Sequence, residues 1–209
     1  MNQVKTRKTG IFSGSFNPIH IGHLALANYL CEYEGLDEIW FMPSAKPPHK
    51  NQDEIAEKEH RKRMVQFAID KIPHFKISNI EYKRAGKTYT YDTLVELKKE
   101  RDDAHFYFIM GGDSLAQFEQ WYHPEKIVKL CTILAASRDE ISYEQTKEYC
   151  KQLSERLDGD FRPLKIPAMS ISYMKSENVS KRESELSDIV RSLWCVIFRC
   201  TGYMVILVL

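Results

Sequence analysis

A doubly wound α/β domain built on a parallel sheet is the fold class that two features of the sequence predict. Short apolar runs rich in β-branched and aromatic residues recur without polar alternation, as strands buried on both faces require. Segments with apolar residues at helical spacing lie between them, and strand–helix–strand alternation implies right-handed crossovers onto both faces of one sheet. The chain has 209 residues, enough for one domain with a full core and a small appendage.

Taken in order, TGIFSG around residue 10 reads as the first strand, ending at Ile11-Phe12. The helix HLALANYLCEYE is expected to begin at His23-Leu24. EIWFMP (38–43) is the second strand. In EKEHRKRMVQFAIDKI, Met64, Ala68 and Ile72 recur every four residues with Val65 and Ile69 beside them, and the charges of EHRKRM (59–64) read as a solvated face. FKISNIEY (75–82) is a third strand, and YDTLVELKKER sets Leu94 and Leu97 on one helical face. HFYFIMGG (105–112) and TILAAS (132–137) follow as strands, and YEQTKEYCKQLSERL as a long amphipathic helix. No internal repeat or low-complexity linker interrupts the series.

Charge and cysteine usage narrow the function classes. Thirty Lys and Arg nearly cancel 29 Asp and Glu, so no basic field calls for nucleic acid. The five cysteines form no CxxC pair, and the polar start MNQVKTRKTG lacks the apolar core of a signal peptide. The apolar end TGYMVILVL is too short to span a bilayer. A cytoplasmic protein with no membrane partner is expected.

In such sheets ligands sit beyond the carboxyl ends of the strands, which directs attention to the first βα loop. There GSFNPIHIGH (14–23) packs two glycines, a proline and two histidines into ten positions. Gly14 lets backbone approach a ligand closely, so that neighbouring amides meet phosphate oxygens. Gly22 and His23 fall at a helix N-terminus, where free amides and the dipole favour an anion. His20 and His23 can donate to phosphate oxygens as charge builds in a transition state. Zinc is the competing reading of two such imidazoles, but no nearby cysteine or acid set completes a ligand shell, and no protein-held metal is expected.

The same stretch resembles the HxGH signature of the nucleotidyltransferase superfamily, with His20, Gly22 and His23 in the motif positions. The resemblance implies a Rossmann-like nucleotidyltransferase fold and direct nucleotide transfer from a triphosphate, with no covalent enzyme intermediate. Class I aminoacyl-tRNA synthetases carry a similar tetrapeptide but are far longer and need a tRNA-binding region. Further segments resemble bacterial nicotinate-nucleotide adenylyltransferases, over roughly residues 9 to 172. PSAKPPHK (43–50) stands where that family has its substrate loop, so that Lys46, His49 and Lys50 are expected to meet substrate. GKTYTYDTL (86–94) matches the segment whose backbone around Tyr89 and Thr90 reads the nicotinate carboxylate, though Thr90 or Asp92 can also simply cap a helix. FIMGGDSLAQFEQWYHPEKI (108–127) supplies Gly111 and Asp113 for the nucleotide and Trp121 for stacking on the pyridine ring. The implied ATP site is Gly14, Ser15, Phe16, His20, Gly22, His23, Gly111, Asp113 and Ser172, with His20 and His23 catalytic. The implied partners are ATP, arriving with Mg²⁺, and nicotinate mononucleotide. A homo-oligomer is compatible with the sequence. Phosphopantetheine and glycerol-phosphate transferases share the first loop but are not expected to share the other segments.

The match breaks after Ser172, dividing the chain into a domain over 1–172 and an atypical tail over 173–209. The family carries a segment like ISSTxIR, whose following helix holds the triphosphate. Ile171 and Ser172 fit it, whereas Tyr173, Met174 and Glu177 stand at or near the remaining places. Read one base out of frame, Lys175–Val179 can be recoded as Glu-Ile-Arg-Glu-Arg, and Ser192–Phe198 as Glu-Ser-Val-Val-Arg-Tyr-Ile, both family-like. A one-base shift near residues 172–174 is the expectation, with a divergent tail as the alternative. With the tail as it stands, the triphosphate loses an arginine contact worth about 1.5–3 kcal/mol, and a catalytically impaired nucleotide-binding protein is the second functional reading, with an adenylyltransferase for another phosphate acceptor such as phosphopantetheine as the third.

Overall fold

The structure, a computed structural model, describes residues 6–46, 55–84, 86, 88–137 and 141–165. His49, Lys50, Ser172 and the whole 173–209 tail lie outside them.

Six parallel strands form one sheet in the order β3-β2-β1-β4-β5-β6. They are β1 (Arg7–Gly14), β2 (Glu38–Pro43), β3 (Phe75–Ile77), β4 (Ala104–Gly111), β5 (Cys131–Ala136) and β6 (Phe161–Leu164). The helices between them are α1 (Ile21–Glu32), α2 (Lys58–Ile69), α3 (Thr90–Glu100), the short α4 (Gly112–Ala116) and α5 (Pro124–Ile127), and α6 (Tyr143–Leu157).

Successive residues of the central strands enter two separate cores, which is what a sheet covered on both faces requires. Ile11, Phe108, Ile133 and Ala135 pack with Leu94 and Leu97 of α3 and Leu153 of α6. Phe12, Ile109, Leu134 and Ala136 pack with Leu24, Ala27 and Leu30 of α1 and Met64, Val65 and Ala68 of α2 on the other face. The predicted doubly wound architecture is therefore observed. The chain reverses its direction of travel across the sheet between β1 and β4, which pair in parallel register with Phe12 opposite Ile109. The crevice at this switch point, beyond Gly14 and Gly111, is where the topology puts a ligand.

Several boundaries differ from those the sequence suggests. β1 continues two residues past Phe12, and α1 starts at Ile21 rather than His23. The third strand is only three residues long, and Ile80–Lys83 form a 3₁₀ turn instead of extending it. β6 has no counterpart among the predicted strands; among the described residues it is an edge strand, paired only with β5, a place where Pro163 is tolerated. Among the described residues no helix is long and apolar enough to cross a membrane.

Candidate active site

The first βα loop is built around a strained residue and a histidine cap. Phe16 has φ of +43°, a conformation costly for a bulky side chain and kept only where packing over-determines it. Its ring is 2 % exposed and lies 5.7 Å edge-on to Phe12 and 5.8 Å from Phe41. It also stands edge-on to the His23 ring at 5.2 Å. Of the residues expected at the nucleotide, Phe16 thus has its ring turned into the core, against the His23 ring.

His20 is the N-cap of α1, and Gly22 and His23 are its second and third residues. The His20 backbone N–H donates to Nδ1 of His23 at 3.1 Å, while the His23 N–H donates to the His20 carbonyl at 3.0 Å. Histidine is not a favoured cap, and a local rule broken in this way marks a functional position. With Nδ1 accepting, a neutral His23 ring carries its proton on Nε2. The two imidazoles lie 3.7 Å apart, tilted by 33°. The first turn of α1 holds no acidic residue, so the positive end of its dipole is not neutralised there.

Neighbouring loops are tied to this one. The Ser44 N–H donates to the Gly14 carbonyl at 2.8 Å, and the Ala56 N–H donates to Oδ1 of Asn17 at 3.0 Å. Lys46 is exposed and lines a cavity of about 390 Å³ with Ala56, Lys58, Arg61 and Arg84. Arg61 corrects the sequence reading: it is 2 % exposed rather than part of a solvated face. Its guanidinium donates to the carbonyls of Ser15, Ala56 and Ala45. Burial pulls its pKa below the ordinary arginine value, yet it stays charged at neutral pH. Sequence reasoning also missed Glu81, buried beside this loop, where desolvation pushes its carboxyl up.

The remaining candidates come from β4 and α3. Gly111 ends β4 and caps α4, with Asp113 exposed in the first turn. Tyr89 caps α3 and Thr90 opens it; the Tyr89 ring packs 4.7 Å from Tyr122, which brings the Tyr89–Thr90 corner against the Trp121–Tyr122 segment. Trp121 follows a 3₁₀ turn, is half-buried, and meets Phe118 at 5.3 Å and Phe108 edge-on at 5.9 Å. Its indole is therefore anchored against the core, as a rigid stacking platform needs to be.

A doubly wound sheet with an imidazole pair at the start of the first helix is the arrangement expected of a nucleotidyltransferase. Comparison with known proteins agrees. The cytidylyltransferase-like family matches residues 11–181, and the chain belongs to that family. A protein of Lachnoclostridium phytofermentans named "Probable nicotinate-nucleotide adenylyltransferase" is 43 % identical over 179 residues, 85 % of this chain and 90 % of the relative. A namesake in Bacteroides fragilis is 48 % identical over 140 residues, 67 % of this chain and 70 % of its own. The solved Plasmodium falciparum nicotinic acid mononucleotide adenylyltransferase, complexed with NaAD, shares the fold with a TM-score of 0.64 at 20 % identity, over 89 % of this chain and 95 % of its own.

Proposed function

We propose that the chain transfers the adenylyl group of ATP to nicotinate mononucleotide, giving deamido-NAD and pyrophosphate in NAD biosynthesis. The observation that carries the chemistry is the imidazole pair folded onto the acid-free N-terminus of α1. The acceptor is supported by the names of the relatives that match most of the chain. A phosphate oxygen of the mononucleotide attacks the α-phosphorus of ATP, and the bond to the bridging β-phosphate oxygen breaks to release pyrophosphate. His20 and His23 donate to the phosphate oxygens as charge shifts toward the leaving group, so catalysis is positioning plus charge stabilisation. Mg²⁺ enters with ATP as part of the substrate, bound by phosphate and water oxygens. Gly14 to Phe16, Gly22, Gly111 and Asp113 shape the nucleotide site; Lys46, Tyr89, Thr90 and Trp121 face the mononucleotide. The setting is the cytoplasm, with a homo-oligomer compatible.

The test is pyrophosphate release from the full chain with ATP, Mg²⁺ and nicotinate mononucleotide, with the amide mononucleotide and phosphopantetheine in parallel. Turnover with the acid and none with phosphopantetheine is expected. ATP binding without any pyrophosphate release supports the second reading, an impaired nucleotide-binding protein, which the altered pattern after Ser172 favours.

Gly22 offers a sharper test of geometry. A Cβ there would stand 3.2 Å from Cε1 and Nδ1 of the His20 ring, tighter than that ring accepts without shifting. Alanine is the better helix former by about 1 kcal/mol. Gly22→Ala should therefore unfold no more easily than the natural chain yet turn over about tenfold more slowly. Thermal unfolding and pyrophosphate release, measured side by side, check both halves.

A further inference from the structure

Arg61 sits in the second turn of α2, on the same stripe as Met64, Val65 and Ala68, and is among the largest side chains wholly inside the protein. A guanidinium is costly to desolvate, and buried ones are normally paired with a carboxylate. Among the described residues no carboxylate pairs with Arg61. Its donors go to main-chain carbonyls instead: Nε to Ala56 at 3.0 Å, one terminal nitrogen to Ser15 at 2.6 Å and the other to Ala45 at 3.4 Å. Those carbonyls belong to three separate pieces of chain. Ser15 lies in the loop that leads to the two histidines. Ala45 follows β2 and adjoins Lys46. Ala56 precedes α2, and its N–H is already bonded to Asn17 in the first loop.

A planar fork reaches three diverging acceptors at once, which the single nitrogen of lysine does not. The residue next to the Ser15 carbonyl is Phe16, whose positive φ persists only while its surroundings hold it.

We infer that Arg61 is a positioning residue: its guanidinium clamps the histidine loop to the mononucleotide-side loop, so that the attacking and the transferred phosphates meet in one fixed geometry. The inference rests on the adenylyl-transfer reading above. Arg61 touches no reacting atom. It sets where Ser15 to His20 and Ala45 to Lys46 stand relative to one another. Loss of the clamp lowers kcat, because a displacement of about 1 Å costs on the order of 100-fold in a reaction that depends on alignment.

The experiment compares the full chain with Arg61→Lys and Arg61→Ala, well below their unfolding midpoints. It measures kcat and KM for ATP and nicotinate mononucleotide, and amide hydrogen exchange over residues 13–19. Both variants are expected to lose about 100-fold in kcat, with KM changed far less, and to exchange faster over 13–19. A purely structural role would lower the unfolding midpoint while leaving the kcat of folded molecules and the exchange of this loop unchanged; that result overturns the inference. Wild-type kcat in Arg61→Lys overturns it too, since charge without the fork would then suffice. Where Arg61→Ala does not fold, Arg61→Lys decides alone. Absence of turnover in the natural chain fails the adenylyl-transfer reading, and exchange over 13–19 still reports independently whether Arg61 orders the loop.

Discussion

Replacing His23 by alanine should slow pyrophosphate release by about 100- to 1,000-fold, the range found when one preorganised donor to developing charge is removed. The ring is held from three sides: His20 lies against it at 3.7 Å, Phe16 edge-on at 5.2 Å and Phe12 edge-on at 5.7 Å. Its Nδ1 is engaged by the His20 N–H, so rotation about the side chain costs a cap bond. Such a ring is already oriented before substrate arrives, and little reorganisation remains for the transition state. The loss should therefore appear in kcat, while the dissociation constant for ATP moves little, because the helix amides and the backbone near Gly14 remain. Unfolding free energy should fall by about 1 kcal/mol, for the missing cap acceptor. Steady-state kinetics and ATP titration calorimetry separate the two effects. A variant with unchanged kcat and a raised KM would show that His23 only binds ground-state ATP.

Much of this site was legible because its signals are local. A glycine-rich loop after a buried strand, followed by a helix start, can be read from spacing alone, and the strand EIWFMP and the helix YEQTKEYCKQLSERL were found at their true ends. That helix opens on a Ser142–Gln145 capping box, with bonds of 2.9 and 3.3 Å, which fixes its first turn from sequence. What spacing does not show depends on tertiary contacts. Nothing local in a glycine-rich loop says that the Phe16 ring turns inward between Phe12 and Phe41, as it does in the fold. FKISNIEY reads as one continuous strand, but among the described residues β3 lies at the sheet edge and pairs only with β2, so three residues suffice before Ile80 and Glu81 turn inward. Arg61 is the instructive case. It stands three residues before Met64 and four before Val65, which is the buried stripe of α2. The flanking charges hid a position that helical periodicity already assigned to the interior.

At the opposite end of the sheet from the site, Glu38 should make stability depend on acid pH without touching catalysis. It opens β2 with its side chain 5 % exposed and accepts from Lys76 at 2.6 Å. The Arg7 and Arg101 guanidiniums stand at 3.7 and 3.8 Å, and the Thr9 hydroxyl donates at 3.3 Å. Burial pushes the carboxyl up, but the Lys76 hydrogen bond, the charges of Lys76 and Arg7 and the Thr9 hydroxyl outweigh it and hold the pKa below its ordinary value of 4.5. A carboxylate with a depressed folded-state pKa contributes stability that is fully present above the unfolded value and is lost as pH falls through the folded one. The cations are partly exposed, which screens them, so about 2 kcal/mol is the expected loss in Glu38→Gln at neutral pH. The difference between the natural chain and Glu38→Gln should hold steady from pH 7 to about 5, then shrink as acid protonates the carboxylate, until the two unfold alike. Denaturant unfolding across this range measures it, and an undiminished difference in strong acid would assign the effect to packing rather than charge. Turnover per folded molecule should be the same in both proteins at pH 7, because the cluster ties the amino ends of β1 and β2 to β3, whereas the proposed phosphate site lies beyond the carboxyl ends of the strands.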